Sequence, residues 1–386
     1  MTHFEKVQQW LAEHHYQVGY LSNFKNIQYF TGFASDPIER VLALFIFPDQ
    51  DPFIFAPALE VEAVKETGWQ YPVYGYLDHE DPFAIIKDQI LARVKNPTRW
   101  AIEKGNLNVS RFEELQQKFP TATFTGDLTP LIQQEQLLKT PAEIEKLKIA
   151  GKWADYAFEV GFKALSTKRT EQDVAAEIEY ALKKKGITHT SFDTIIQSGA
   201  NAADPHGVPK KEFIKPNELV LFDLGVVFDG YISDASRTVG FGKQLSEKSQ
   251  EIYRVCLEAQ LTAQAAVKPG MRAEELDKIA RDIITKAGYG EYFIHRLGHG
   301  MGQSEHEFPS IMEGNSMELQ PGMCFSIEPG IYIPGVAGVR IEDCVYVTEN
   351  GAEALHTHLR NCNCCHLHKL IEYKKSRTLS GFFMLT

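Results

Sequence analysis

The sequence predicts an α+β protein in two parts: an N-terminal α/β domain over residues 1–130 and a second domain over 131–358 made of two related halves. Three observations predict it. Apolar strand-like runs alternate with helical stretches through the first ~128 residues, which is the α/β pattern. A polar stretch at 125–140 reads as a linker, with the boundary placed near residue 130. Beyond it, a proline, an acid and a glycine recur in the same order at a single offset. A length of 386 residues agrees with two or three domains, at roughly 150 residues each.

Residues 1–15 mix Glu5, Lys6 and Glu13 with Val7, Trp10 and Leu11 at helical spacing, which makes an amphipathic first helix and not a signal peptide. The runs 41–47 and 52–56 read as strands, and 81–94 and 110–119 as helices. This part holds no phosphate-binding glycine loop. Its unusual segment is the polar loop 31–40 (TGFASDPIER), where Gly32, Asp36 and Pro37 could reach toward a site elsewhere. After the linker, a long amphipathic helix covers 141–165, with Pro141 well placed at a first helical position.

The duplication shows in two pairs of segments. Residues 170–187 (TEQDVAAEIEYALKKKGI) and 273–289 (AEELDKIARDIITKAGY) both read as capped helices that run into a lysine-bearing turn and a glycine, Gly186 and Gly288. Residues 216–225 (PNELVLFDLG) and 321–330 (PGMCFSIEPG) match Pro216 with Pro321, Asp223 with Glu328 and Gly225 with Gly330, all at an offset of 105. Such halves bring equivalent carboxylates to a shared centre.

A formal charge of −11 disfavours nucleic acid or an anionic membrane as the main partner. No apolar run approaches the ~18 residues of a membrane span. With Cys256, Cys324 and Cys344 scattered singly through apolar stretches, reduced buried thiols and a cytoplasmic location are expected. The tail at 359–386 differs from the rest: it is basic, and Cys362, Cys364, Cys365, His366 and His368 crowd together too tightly for the usual spaced zinc pairs.

The chemistry concentrates around LVLFDLGVVFDGYISDASRTVG (219–240), a hairpin with Asp229-Gly230 as its two-residue turn. If Phe228 pairs with Tyr231, Asp223 and Asp234 become diagonal neighbours on one face, about 7 to 8 Å apart at Cα. Two acids so placed repel unless a cation lies between them. The second half offers Glu328 in SIEPG, Glu342 in VRIED and His299 in LGHGMG. Four carboxylates and one imidazole form a hard set that suits Mn²⁺ or a similar divalent ion better than structural zinc. They are too many for one ion, and a carboxylate-bridged pair about 3.5 to 4 Å apart uses them all. His295 and His299 are four apart with Arg296 after the first, so HExxH is absent. His206 in DPHG, His306 in SEHEFPS, and Arg340, expected on the same strand face as Glu342, could act around the metals.

From about residue 135 to 357 the chain resembles the catalytic domain of the pita-bread metallopeptidases, the group of methionine aminopeptidase, aminopeptidase P, prolidase and creatinase. With the N-terminal, creatinase-like domain included, residues 1–357 are similar to bacterial Xaa-Pro dipeptidases. The ligand order Asp, Asp, His, Glu, Glu matches at Asp223, Asp234, His299, Glu328 and Glu342. The resemblance implies that Asp223 binds one metal, that Asp234 and Glu342 bridge two, and that His299 and Glu328 complete the other, with Mn²⁺ expected and Co²⁺ or Zn²⁺ as alternatives. It also implies that His206 and His306 steady the substrate carbonyl and that Glu328 moves the proton, with Arg340 a further catalytic residue. His295, Arg296 and Arg340 are placed near the substrate's C-terminal side. A homodimer is implied, in which the 31–40 loop, through Asp36, approaches the partner's site. Gln303-Ser304-Glu305 departs from the pattern, and after about residue 358 the tail resembles nothing in the family.

The activity expected is therefore hydrolysis of the imide bond in Xaa-Pro dipeptides. Aminopeptidase P, acting on longer Xaa-Pro-Yaa peptides, is the nearest rival, and Arg296 as a partner for the dipeptide carboxylate argues against it. A non-catalytic pita-bread binding protein, or a metal-free enzyme like creatinase, should lack ligands, whereas all five are present. Methionine aminopeptidase activity does not need the additional N-terminal domain.

Overall fold

Val7 and Leu11 fall on one face of α1 (His3–Glu13) and are fully buried, so the first helix forms as its spacing requires. The molecule is described by a computed structural model covering residues 3–356, and the 359–386 tail with its Cys/His cluster lies outside the described residues. The described chain divides into two compact units between Gln136 and Leu137.

The first unit is one mixed sheet. After β1 (Val18–Leu21) and α2 (Phe24–Thr31) come β2 (Ala43–Ile46), β3 (Phe53–Pro57), α3 (Val61–Glu66), β4 (Val73–Tyr76), α4 (Pro82–Arg93), β5 (Arg99–Ile102), α5 (Val109–Lys118) and β6 (Thr123–Asp127). Their order in the sheet is β4-β3-β2-β1-β5-β6. Alternation along the strands sends Tyr20, Phe45, Phe55 and Trp100 into one core and Leu21, Leu44, Ile46 and Ile54 into the other, so both faces are covered. The 31–40 loop follows Gly32, at φ 74°, and Asp36 Oδ1 accepts from Ile38 N at 2.9 Å.

The expected linker at 125–140 is instead structured. It supplies the end of edge strand β6 and then α6 (Thr129–Leu137), whose Ile132, with Leu128 just before it, is buried in the first unit's core. An edge strand needs only one covered face, so its exposed threonines resembled a loop.

The second unit begins with α7 (Pro141–Ala164). Thr140 Oγ1 accepts from Glu143 N and Glu143 Oε2 accepts from Thr140 N, a capping box with Pro141 at the first turn. The first half continues through α8 (Glu171–Lys184), β7 (Ile195–Ser198), β8 (Glu218–Leu224), β9 (Val227–Phe228), β10 (Tyr231–Ile232) and β11 (Ala235–Phe241). The second half is α9 (Glu247–Ala266), α10 (Ala273–Lys286), β12 (Gly298–Gly300), β13 (Glu307–Ile311), β14 (Cys324–Ile327), β15 (Gly330–Ile333), β16 (Ala337–Arg340), β17 (Asp343–Thr348) and β18 (Gly351–Ala354). Each half packs a helix pair on its own sheet around its own core: α7 and α8 on β8 and β11, α9 and α10 on β14 and β17. Gly186 (φ 90°) and Gly288 (φ 86°) follow the two equivalent helices in the left-handed conformation. The halves are stitched where Glu342 N donates to Ser236 O at 3.0 Å and Thr238 Oγ1 donates to Arg340 O at 2.9 Å.

Cys256, Cys324 and Cys344 are buried free thiols. Among the described residues, no helix is long and apolar enough to cross a membrane.

Candidate metal centre

The hairpin sets the first two acids. Phe228 pairs with Tyr231 across Asp229 (φ 47°) and Gly230 (φ 81°), the positive-φ pair of a tight two-residue turn. The same register continues into β8 and β11, where Asp223 faces Ser236, so Asp234 is its diagonal neighbour as predicted. The two strands press together at Gly225, where a Cβ would lie 1.9 Å from the Ser233 carbonyl oxygen.

The second half delivers the rest from β12, from the end of β14 and from the residue before β17. Ligand atoms of Asp234, His299 and Glu342 lie within 4.8 Å of one another, and all three residues are buried. His299 Nε2 is 3.6 Å from Asp234 Oδ2 and 3.3 Å from Glu328 Oε1. Ser236 Oγ sits 3.0 Å from Asp223 Oδ1 and 2.8 Å from Glu342 Oε2, which ties Asp223 to the group. The five expected ligands thus meet in one cavity of about 540 Å³, also lined by His206, His295, Arg296, His306 and Arg340. A second cavity, of about 590 Å³, is lined partly by Glu171, whose carboxylate is fully engaged by Ser198, Asn201 and Lys210 N. Asp36 belongs to the first unit, where it caps its own loop.

Arg340 ends β16, paired with Gly330, and Glu342 lies two residues on, between β16 and β17; both side chains reach Ser236 Oγ and line the same cavity. The Arg340 guanidinium donates to Asp223 Oδ2 at 2.5 Å, and Nε donates to Ser236 Oγ at 2.7 Å. It therefore orients Asp223 directly and Glu342 only through Ser236. Arg296 differs: Nη1 donates to Ser310 Oγ at 3.0 Å, and among the described residues it pairs with no carboxylate.

Sequence reasoning missed Ser236, Ser326 and Tyr332. Ser326 Oγ donates to Glu328 Oε1 at 2.9 Å and accepts from His299 N at 3.0 Å. The Tyr332 hydroxyl accepts from Arg340 at 2.9 Å and lies 3.0 Å from His295 Nε2. Both serines stand two residues from an acid ligand, a period-two signal available in the sequence.

Electrostatics argue for a cation. Burial first, then the charges of Asp223 and Glu328, hold the Asp234 carboxyl well above its ordinary pKa. Burial and the charges of Asp234 and Glu328 do the same to Glu342, and burial raises Glu328. His299 Nδ1 lies 3.2 Å from Gly300 O, a carbonyl that can only accept, so Nδ1 carries the proton and Nε2 faces the acids as a lone pair. Burial pulls His299 down to about 4, leaving it neutral near pH 7. Glu342 Oε1 is buried with no hydrogen-bond partner among the described residues, though an ionised carboxylate oxygen is costly to leave so. These residues fit a divalent metal: hard donors converge, one with an unused lone pair, and a cation removes the repulsion.

Metal binding should therefore release protons, because acids with raised pKa hold them in the metal-free fold. Affinity for Mn²⁺ should rise as pH climbs above the ordinary carboxylate range towards neutrality. His299, already neutral there, adds no slope. Calorimetry in buffers of different ionisation enthalpy measures the release, and a pH-independent affinity without it would contradict the ligand set.

The profile of Metallopeptidase family M24 matches residues 145–349, and that of the Creatinase/Prolidase N-terminal domain matches residues 4–135. The chain belongs to metallopeptidase family M24. Among its M24 relatives, a protein named Xaa-Pro dipeptidase from Lactobacillus helveticus is 55% identical over 348 residues, covering 90% of this chain and 94% of that one. The crystal structure of a prolidase from Thermococcus sibiricus superposes with a TM-score of 0.86 at 33% identity, covering 92% of this chain and 97% of that one. An X-Pro aminopeptidase structure from Thermotoga maritima gives 0.83 at 29% identity, covering 93% and 98%. The second unit is accordingly the M24 pita-bread domain, and the buried acids lie inside the matched segment.

Proposed function

We propose that this chain hydrolyses the imide bond of Xaa-Pro dipeptides and releases C-terminal proline, with two divalent ions per subunit, Mn²⁺ in preference to Co²⁺ or Zn²⁺. The observation that carries the reading is the meeting of five buried or half-buried ligand side chains with Arg296, a guanidinium without a carboxylate partner among the described residues, in one cavity. The names of the relatives support the substrate class. Asp223, Asp234, His299, Glu328 and Glu342 would hold the ions, which when bound polarise a carbonyl and make water acidic enough to react near neutral pH.

The chain's own groups do the rest. Glu328 Oε1 is held by Ser326, which leaves Oε2 to take a proton from the attacking water and pass it to the proline nitrogen. Burial raises its proton affinity and suits it to that transfer. Burial and the neighbouring His299 pull His306 down to about 4, so it offers an N–H to the carbonyl oxygen as a neutral ring, together with His206. Arg296 pairs with the dipeptide carboxylate through its planar fork. His295, steadied by Tyr332, borders the same side.

The reading includes a cytoplasmic homodimer with Asp36 near the partner's site. Its test is a dipeptide panel on metal-stripped and Mn²⁺-restored protein, with light scattering on the same sample. Stripping should abolish hydrolysis, Mn²⁺ should restore it, and Xaa-Pro should be preferred to Xaa-Pro-Yaa. Full activity without metal would overturn the mechanism, equal rates on the longer peptide would favour aminopeptidase P, and a fully active monomer would remove the shared site.

A further inference from the structure

We infer that the buried ion pair Lys139–Glu307 is a positioning device that holds the turn carrying His306 over the metal centre. This rests on the proposed role of His306 at the substrate carbonyl.

The turn leaves β12 after Gly300 and returns at Glu307, the first residue of β13. The β12–β13 ladder slips between His299 and Gly300, so regular pairing alone does not fix the turn. The Glu307 carboxylate does. Oε1 accepts from Gln303 N at 2.9 Å and from Ser304 N at 3.0 Å, and Oε2 takes Lys139 Nζ at 2.8 Å. Both side chains are buried, at 3% and 7% exposure. A Cβ at position 302 would lie 2.5 Å from Glu307 Oε2, so Gly302 is what lets the carboxylate lie across the turn. Lys139 is itself tied down, its N–H donating to Gly322 O at 2.9 Å.

His306 is the last residue of this turn, directly before the anchored Glu307, and its side chain lines the cavity, where its ring meets that of His299 at a centroid distance of 4.3 Å and 67°. Neither Lys139 nor Glu307 touches a metal-ligand candidate. Their charges answer each other, which a buried pair requires, and loss of either frees the turn.

The test is a double-mutant cycle on the metal-loaded, full-length protein. Glu307→Gln should lower kcat by about 10- to 100-fold, the scale of a misplaced catalytic group, with bound metal and its affinity unchanged. His306→Ala should lower kcat too, and Glu307→Gln added to it should cause little further loss, because its effect passes through His306. If Glu307→Gln is equally damaging in both backgrounds, or removes metal, the positioning role is wrong. If His306→Ala alone leaves kcat intact, the proposed role of His306 fails instead, and this inference with it. Should Glu307→Gln not fold, Lys139→Met is put through the same cycle: it removes the cation while leaving the acceptor of the turn amides, and an additive loss there overturns the proposal.

Discussion

Asp234→Asn is expected to lower kcat more than about 100-fold, beyond the loss typical of an outer partner of a metal site, and to make the metal-stripped protein more heat-stable. The two effects have one cause. Burial first, and then the charges of Asp223 and Glu328, raise the Asp234 pKa well above the ordinary value. A carboxyl with a higher pKa folded than unfolded contributes stability in its protonated form, and that contribution is lost as pH rises through the folded pKa. Asparagine keeps the neutral form at every pH. The gain should therefore be present at neutral pH and vanish toward about pH 4, where the acid itself is protonated. The backbone should hold the new amide in place, since Cys344 Sγ at 3.0 Å and His356 Nε2 at 2.9 Å both donate to the carbonyl oxygen of residue 234. Calorimetric melting with and without metal checks this. A metal-free variant less stable than the metal-free parent at neutral pH would mean that Asp234 is not held against like charge.

Arg296→Ser should raise KM for an Xaa-Pro dipeptide by about 1.5 to 3 kcal/mol, or roughly 10- to 150-fold, with metal content intact. A carboxylate buried beside metal-binding acids is costly without a cation, and Arg296 is the cavity's arginine without a carboxylate partner among the described residues. The matching Xaa-Pro amide, with no carboxylate to lose, should be much less affected. Equal losses on acid and amide would move the assignment to Arg340 or His295. Arg340 is the contrasting case, because its guanidinium is already engaged by Asp223, Ser236, Tyr332 and the Pro205 carbonyl.

Part of this site follows from short-range chemistry alone. Asp229-Gly230 dictates the turn, the turn dictates the register, and the register puts Asp223 and Asp234 on one face. Thr140, Pro141 and Glu143 set the start of α7, and the offset of 105 announced two equivalent halves. How those halves meet depends on long-range packing. That Arg340 serves Asp223, that Ser236 reaches Glu342, and that Lys139 answers Glu307 are contacts between residues more than 100 positions apart, through side chains whose reach no local period encodes. The break between β16 and β17, at Ile341 and Glu342, arises at the seam where Glu342 N turns to Ser236 O. The polar edge strand and helix at 123–137 were hidden for the same reason: β5 and the core beneath α6 order them, and nothing in their own composition does.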